Sequence, residues 1–201
     1  HFFAIRQILL LICLLSLTVM PYVTLLPAFA REFLNADPLD YGLMVTVSGI
    51  GCLVCNVAFA FRRNVIGLDR IIPFSAVIIA ICLAAFTFCR SLALSFPILF
   101  CLGGISMAQL TASNIILQTV VDDDKRGRIM SFYIMSFMGM MPLGGLLAGA
   151  VAERFGVAET LLAGSGLYLA GTLLFLHGFS RFRGCLLPVF EKLGIGRAGA
   201  G

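Results

Sequence analysis

Charge is scarce in this sequence. Lys, Arg, Asp and Glu make up 12% of the 201 residues, against 60% apolar residues. Soluble domains carry about 25% charged residues, so too few are present here to cover a water-facing surface. A mean hydropathy of +1.05 points the same way. Long polar connections are missing too, which excludes an inserted soluble domain between the apolar runs. Nor does any Asp, Glu, His or Lys stand in the middle of an apolar run. Proton relays and buried ion pathways are generally built from such groups, so the sequence offers no evident coupling residue of its own. The first run is long and contains Pro21 and Pro27, unlike the short apolar core and small-residue cleavage site of a secretory signal peptide, so it is expected to be a helix of the mature protein.

What is present is a set of six long apolar runs: Gln7–Ala30, Tyr41–Phe61, Ile71–Cys89, Leu94–Gln118, Ile129–Ala152 and Thr160–Phe179. Crossing about 30 Å of hydrocarbon takes roughly 20 residues of helix at 1.5 Å each. Barrel strands would be about ten residues long and apolar on one face only. The expected fold is therefore all-α, a bundle of six transmembrane helices over residues 1–180 embedded in a lipid bilayer, with a basic tail over 181–201. Lys and Arg collect on the cytoplasmic side of short loops. Counting alternate sides, Arg6, Arg62, Arg63, Arg70, Lys125, Arg126, Arg128, Arg181, Arg183, Lys192 and Arg197 fall together, which is 11 of the 14 basic residues. Both ends are thus expected in the cytoplasm. The net charge of +4 reads as a topology signal, with no nucleic-acid partner implied. The chain opens on His1 and closes on Arg197-Ala198-Gly199-Ala200-Gly201, and part of a longer protein is the expectation.

Seven cysteines include the pair Cys52 and Cys55 in C-x-x-C spacing. No histidine lies near the pair, and thiols in apolar runs serve as small packing groups, so neither metal nor cofactor is expected there. Asp122-Asp123-Asp124 sits beside Lys125 and Arg126 just before a run, where acidic residues favour a helix N-terminus rather than a cation. His177 stands alone near the end of the last run. No catalytic constellation emerges.

Polar side chains within the runs carry the better signal, because leaving them unpaired in hydrocarbon is costly. The fourth run holds Gln109, Thr111, Asn114 and Gln118; at 100° per residue Thr111, Asn114 and Gln118 share a stripe, and Gln109 points away from it. Asn56 in the second run and Tyr22 in the first are the other candidates to line a cavity. Such groups also serve as interhelical bonds, so a packing role stands beside the binding role. Pro21 and Pro142 each remove a helix hydrogen bond and should bend their spans. Gly139, and Gly145-x-x-x-Gly149, suit close helix packing.

Several separated strings resemble one family. Met20-Pro21-Tyr22-x-x-Leu25-Leu26-Pro27, Tyr41-Gly42-Leu43-Met44 and Gly49-Ile50-Gly51 resemble the seventh and eighth helices of the major facilitator superfamily. Lys125-Arg126-Gly127-Arg128-Ile129-Met130-Ser131 resembles the loop before the eleventh helix, and Gly139-x-x-Pro142-Leu143-Gly144-Gly145 resembles that helix. The likeness is to the enterobactin-exporter-like branch of transmembrane secretion effectors. Where the superfamily's Gly-x-x-x-Asp-Arg-x-Gly-Arg string would repeat, Arg62 to Arg70 keeps only basic character. The resemblance implies the carboxy-terminal six-helix half of a twelve-helix transporter, built as two three-helix repeats. Its partner would be a missing amino-terminal half. The first, second, fourth and fifth spans would face a central cavity, and the third and sixth would pack outside. It further implies secondary-active export of a small molecule (drug, siderophore or metabolite) across a bacterial cytoplasmic membrane, with Arg126 and Arg128 in a cytoplasmic gate loop. A non-transporting scaffold or sensor on the same fold stands as the alternative, and a lipid-modifying enzyme behind it.

Overall fold

The computed structural model describes residues 2–61, 67–179, 182 and 184. The expected basic tail, apart from Phe182 and Gly184, and residues 62–66 of the arginine-rich loop lie outside the described residues. Helices run α1 Phe2–Thr18, α2 Tyr22–Phe33, α3 Pro38–Phe61, α4 Leu68–Thr87, α5 Leu92–Val120, α6 Asp123–Ile134, α7 Met140–Phe155 and α8 Val157–His177, with a π-helical turn at Met135–Gly139 between α6 and α7. They form six membrane spans, since α1 with α2 and α6 with α7 are each one span broken in the middle. No strand occurs among the described residues.

Both breaks have an identifiable cause. Pro21 has no N–H to give the carbonyl four residues back, and the turn before it re-forms with the Val19 and Met20 amides both on the Leu15 carbonyl, at 2.9 and 3.0 Å. Pro142 likewise follows the wide turn at 135–139, and the Ser16 hydroxyl donates to the Phe137 carbonyl there at 2.9 Å. The two broken spans therefore meet at their breaks. Glycines make the approach possible: a Cβ at Gly144 would meet the carbonyls of Ser16 and Leu17, and one at Gly164 the carbonyl of Thr18. The small-residue expectation thus shifts by one position. Gly144 makes the close contact, Gly145 is at ordinary distance from Thr24, and Gly149 has open space around it. Gly139 faces only the flexible Met135 side chain.

Ends follow local chemistry. The chain leaves α2 through Asn35 in the left-handed region, φ 49, with the Ala36 amide returning to the Ala30 carbonyl at 3.0 Å. Pro38 then begins α3, and Asp37 and Asp40 cap each other reciprocally, the Asp40 amide donating to Asp37 Oδ1 at 2.8 Å and the Asp37 amide to Asp40 Oδ2 at 3.2 Å. On that same end Arg90 donates to the carbonyls of Thr87 and Cys89 at 3.0 and 3.1 Å and covers the Phe33 ring at 4.5 Å, tying α2 to the turn between α4 and α5. At the other end α6 starts at Asp123, well before the expected Ile129. Arg126 and Arg128 are consequently helical residues of the first turns of α6, not loop residues.

Packing runs α3 against α5, α5 against α4, α4 against α8, and α8 against α1 and α7. The tightest seam is α3–α5, where Gly51, Gly103 and Gly104 bring the two backbones together and the Cys52 thiol donates to the Gly103 carbonyl at 3.3 Å. Without a hydrophobic drive between helices in lipid, such close packing is what holds them. Outward faces of α3 and α7 stay apolar and bare, as at Leu43, Ile50, Leu53, Leu143 and Leu146.

Candidate functional site

On α5 the helical period divides the polar residues between two faces. Residues 107, 111, 114, 115 and 118 form the less buried stripe, while 106, 109 and 113 point into the bundle. On the open stripe the Thr111 hydroxyl donates to Asn56 Oδ1 of α3 at 3.2 Å. One turn on, the Gln118 amide donates to Asn114 Oδ1. Next to them α6 supplies Tyr133, whose buried hydroxyl donates to the Leu110 carbonyl at 3.0 Å. A recess of about 190 Å³ lies between α5 and α6, lined by Met107, Leu110, Thr111, Asn114, Ile115 and Tyr133. It is mostly apolar with a few polar groups at one wall, the composition of a site for a partly apolar small molecule.

Four of the six candidates, Asn56, Thr111, Asn114 and Gln118, thus come together. Tyr22 does not join them: it is buried at 6% exposure and shares a hydrogen bond of 3.1 Å with Ser48 Oγ, linking α2 to α3. Gln109 does not join them either. It is fully buried between α5 and α8, where the Tyr168 hydroxyl donates to its Oε1 at 2.8 Å. Gln109 and Thr111 are two positions apart, a rotation of about 200°, so they point to opposite faces of α5. Sequence reasoning passed over Tyr133, whose signal was present: a tyrosine inside an apolar span must find a partner for its hydroxyl. Among the described residues no group of His, Cys, Asp and Glu is placed to hold a metal.

Six apolar spans, two of them broken at facing positions, around a half-open polar stripe define an integral membrane protein of the helical-bundle class. Comparison with known proteins places it further. The chain belongs to the transmembrane secretion effector family of the major facilitator superfamily, whose family model matches residues 2–184. That family consists of membrane transporters, not enzymes. A curated relative, the staphyloferrin A transporter of Staphylococcus aureus, is 27% identical over 155 residues, covering 77% of this chain and 38% of the relative. The chain therefore spans well under half the length of that relative. No solved structure matches the chain.

Proposed function

We propose that this chain is the carboxy-terminal half of an alternating-access transporter that exports a small, partly apolar molecule, a siderophore being the favoured class. The observation that carries this reading is the recess between α5 and α6 with Thr111 and Asn114 on its wall, close to Asn56 and Gln118. Family membership and the name of the relative support the choice of substrate class. Bare apolar faces on α3 and α7 are the surfaces that an amino-terminal half would cover. With no Asp, Glu, His or Lys in the middle of any span, the coupling group would come from that half. Arg126 and Arg128, in the first turns of α6, would help latch the cytoplasmic face in one conformer. Vesicles containing the full-length protein should move a siderophore against its gradient once an ion gradient is imposed, and protein-free vesicles should not. Absence of transport across a panel of siderophores, drugs and metabolites would sink the reading.

Orientation follows from the same proposal. The arginine-rich ends of the spans would face the cytoplasm in a bacterial inner membrane, leaving the exposed Asn35 outside. A cysteine at Asn35 in a cysteine-free background is expected to react with an impermeant thiol reagent added to intact cells, and a cysteine at Asp124 to react only after permeabilisation. The reverse labelling pattern overturns the orientation.

A further inference from the structure

Between the start of α4 and the end of α8 lies an open groove of about 590 Å³. That volume lies within the roughly 300–1,000 Å³ typical of small-molecule sites. Arg70 stands at the mouth, and Ile71, Pro73, Phe74 and Val77 of α4, Leu176 of α8 and Phe179 just beyond α8 line the rest. Positions 70, 74 and 77 recur at helical spacing, so one face of α4 supplies a cation followed by an apolar floor. Phe74 is 70% exposed, and the neighbouring wall continues with Ile81 and Leu174, both also exposed. Only hydrocarbon matches such a wall within the spans.

The charge at the mouth selects among lipids. Among the described residues no side-chain hydrogen bond or ion pair engages the Arg70 guanidinium, whose amide bonds the Gly67 carbonyl, and the adjacent Asp69 is buried. In the sequence the segments that adjoin this end carry further arginines at positions 62, 63, 181 and 183. A guanidinium offers several N–H donors in a fork matched to phosphate oxygens. We infer that the groove between α4 and α8 is a site for an anionic phospholipid, its phosphate on Arg70 and an acyl chain along Ile71, Phe74, Val77 and Leu176. The site is separate from the polar recess and does not depend on what the protein transports.

The sequence contains no tryptophan, which makes the test direct. Phe74→Trp puts a single fluorophore in the groove of the full 201-residue chain, and Leu167→Trp puts one on the exposed face of α8 about 15 Å further along its axis. In mixed vesicles, brominated phosphatidylglycerol should quench the tryptophan at 74 with about fivefold higher relative affinity than brominated phosphatidylcholine, the effect of about one cation near the surface. At 167 the two lipids should quench equally. Arg70→Gln in the Phe74→Trp chain should bring the ratio to about one while emission maximum and helical content stay unchanged, and Arg70→Lys should retain part of the preference. Equal quenching at 74 means ordinary lipid contact and overturns the site. So does a preference that survives Arg70→Gln. Quenching by neither lipid means that a protein segment fills the groove, and overturns it as well.

Discussion

Valine at Gly103 is expected to separate α3 from α5 and to destabilise the protein by on the order of 3 kcal/mol, the upper part of the overpacking range. The atoms that a Cβ at 103 would meet are the backbone oxygen and the hydroxyl of Ser48. A side chain could turn aside, but the Ser48 carbonyl is held in the body of α3 and moves only with the helix. Gly51 faces the Phe100 carbonyl in the same way from the other side, and a Cβ at Gly104 would come within 3.0 Å of the Gly51 oxygen. Three glycines therefore set one interhelical distance. Because Ser48 also bonds Tyr22, a displaced α3 loses its tie to α2. Gly149→Ala is the contrasting substitution: nothing lies within 4 Å of its added Cβ, and alanine exceeds glycine in helix propensity by about 1 kcal/mol, so stability should hold or rise slightly. Thermal unfolding in detergent, followed with a thiol-reactive dye that reports exposure of Cys52 and the buried Cys89, measures both variants. A Gly103→Val protein that melts within a degree or two of the parent would remove close backbone approach as the force that holds this seam.

How much of this was legible in the residues depends on whether a property is local. The spans were, since hydropathy summed over some 20 residues is a one-dimensional quantity. Their ends were less so: α6 begins at Asp123, in a charged stretch of low hydropathy, and a hydropathy window does not register a helix that starts there. Pro21 announced its break. Pro142 announced a bend but not its form, since the π-helical turn lies at 135–139 and its carbonyl is taken by Ser16, far away in the chain. Gly145-x-x-x-Gly149 matched the pattern for close packing, yet Gly144 makes the contact, because the facing side of a helix is chosen by its neighbours. The candidate site shows the same division. Helical spacing grouped Thr111, Asn114 and Gln118 and set Gln109 apart, whereas the partners of Tyr22 and Gln109, Ser48 and Tyr168, come from other helices that no spacing rule connects.

Asn114 is the residue at which a binding role and a packing role separate. The Thr111–Asn56 bond joins two helices, so alanine at either position removes interhelical glue of about 0.6 kcal/mol and would mix stability with binding. The Asn114 oxygen, by contrast, accepts from Gln118 on its own helix, an i,i+4 pair worth only about 0.2–0.5 kcal/mol, and its tie to another helix is to the Tyr133 hydroxyl, which keeps its bond to the Leu110 carbonyl without it. Asn114 also lines the recess beside Tyr133. Alanine there should weaken substrate affinity several-fold, the loss of one hydrogen bond of on the order of 1 kcal/mol, with little change in melting temperature. Leucine should do more, about tenfold or beyond, because it removes the amide and fills part of the 190 Å³ recess. Ile79→Ala, in the buried interior of α4, supplies the opposite signature: a cavity that lowers stability by about 2–5 kcal/mol and leaves intrinsic affinity alone. Binding of the transported compound to the full-length protein, measured beside thermal stability for all three variants, separates these outcomes. If Asn114→Leu binds as tightly as the parent, the recess between α5 and α6 is not where the substrate sits, and the polar stripe serves only to hold the helix in place.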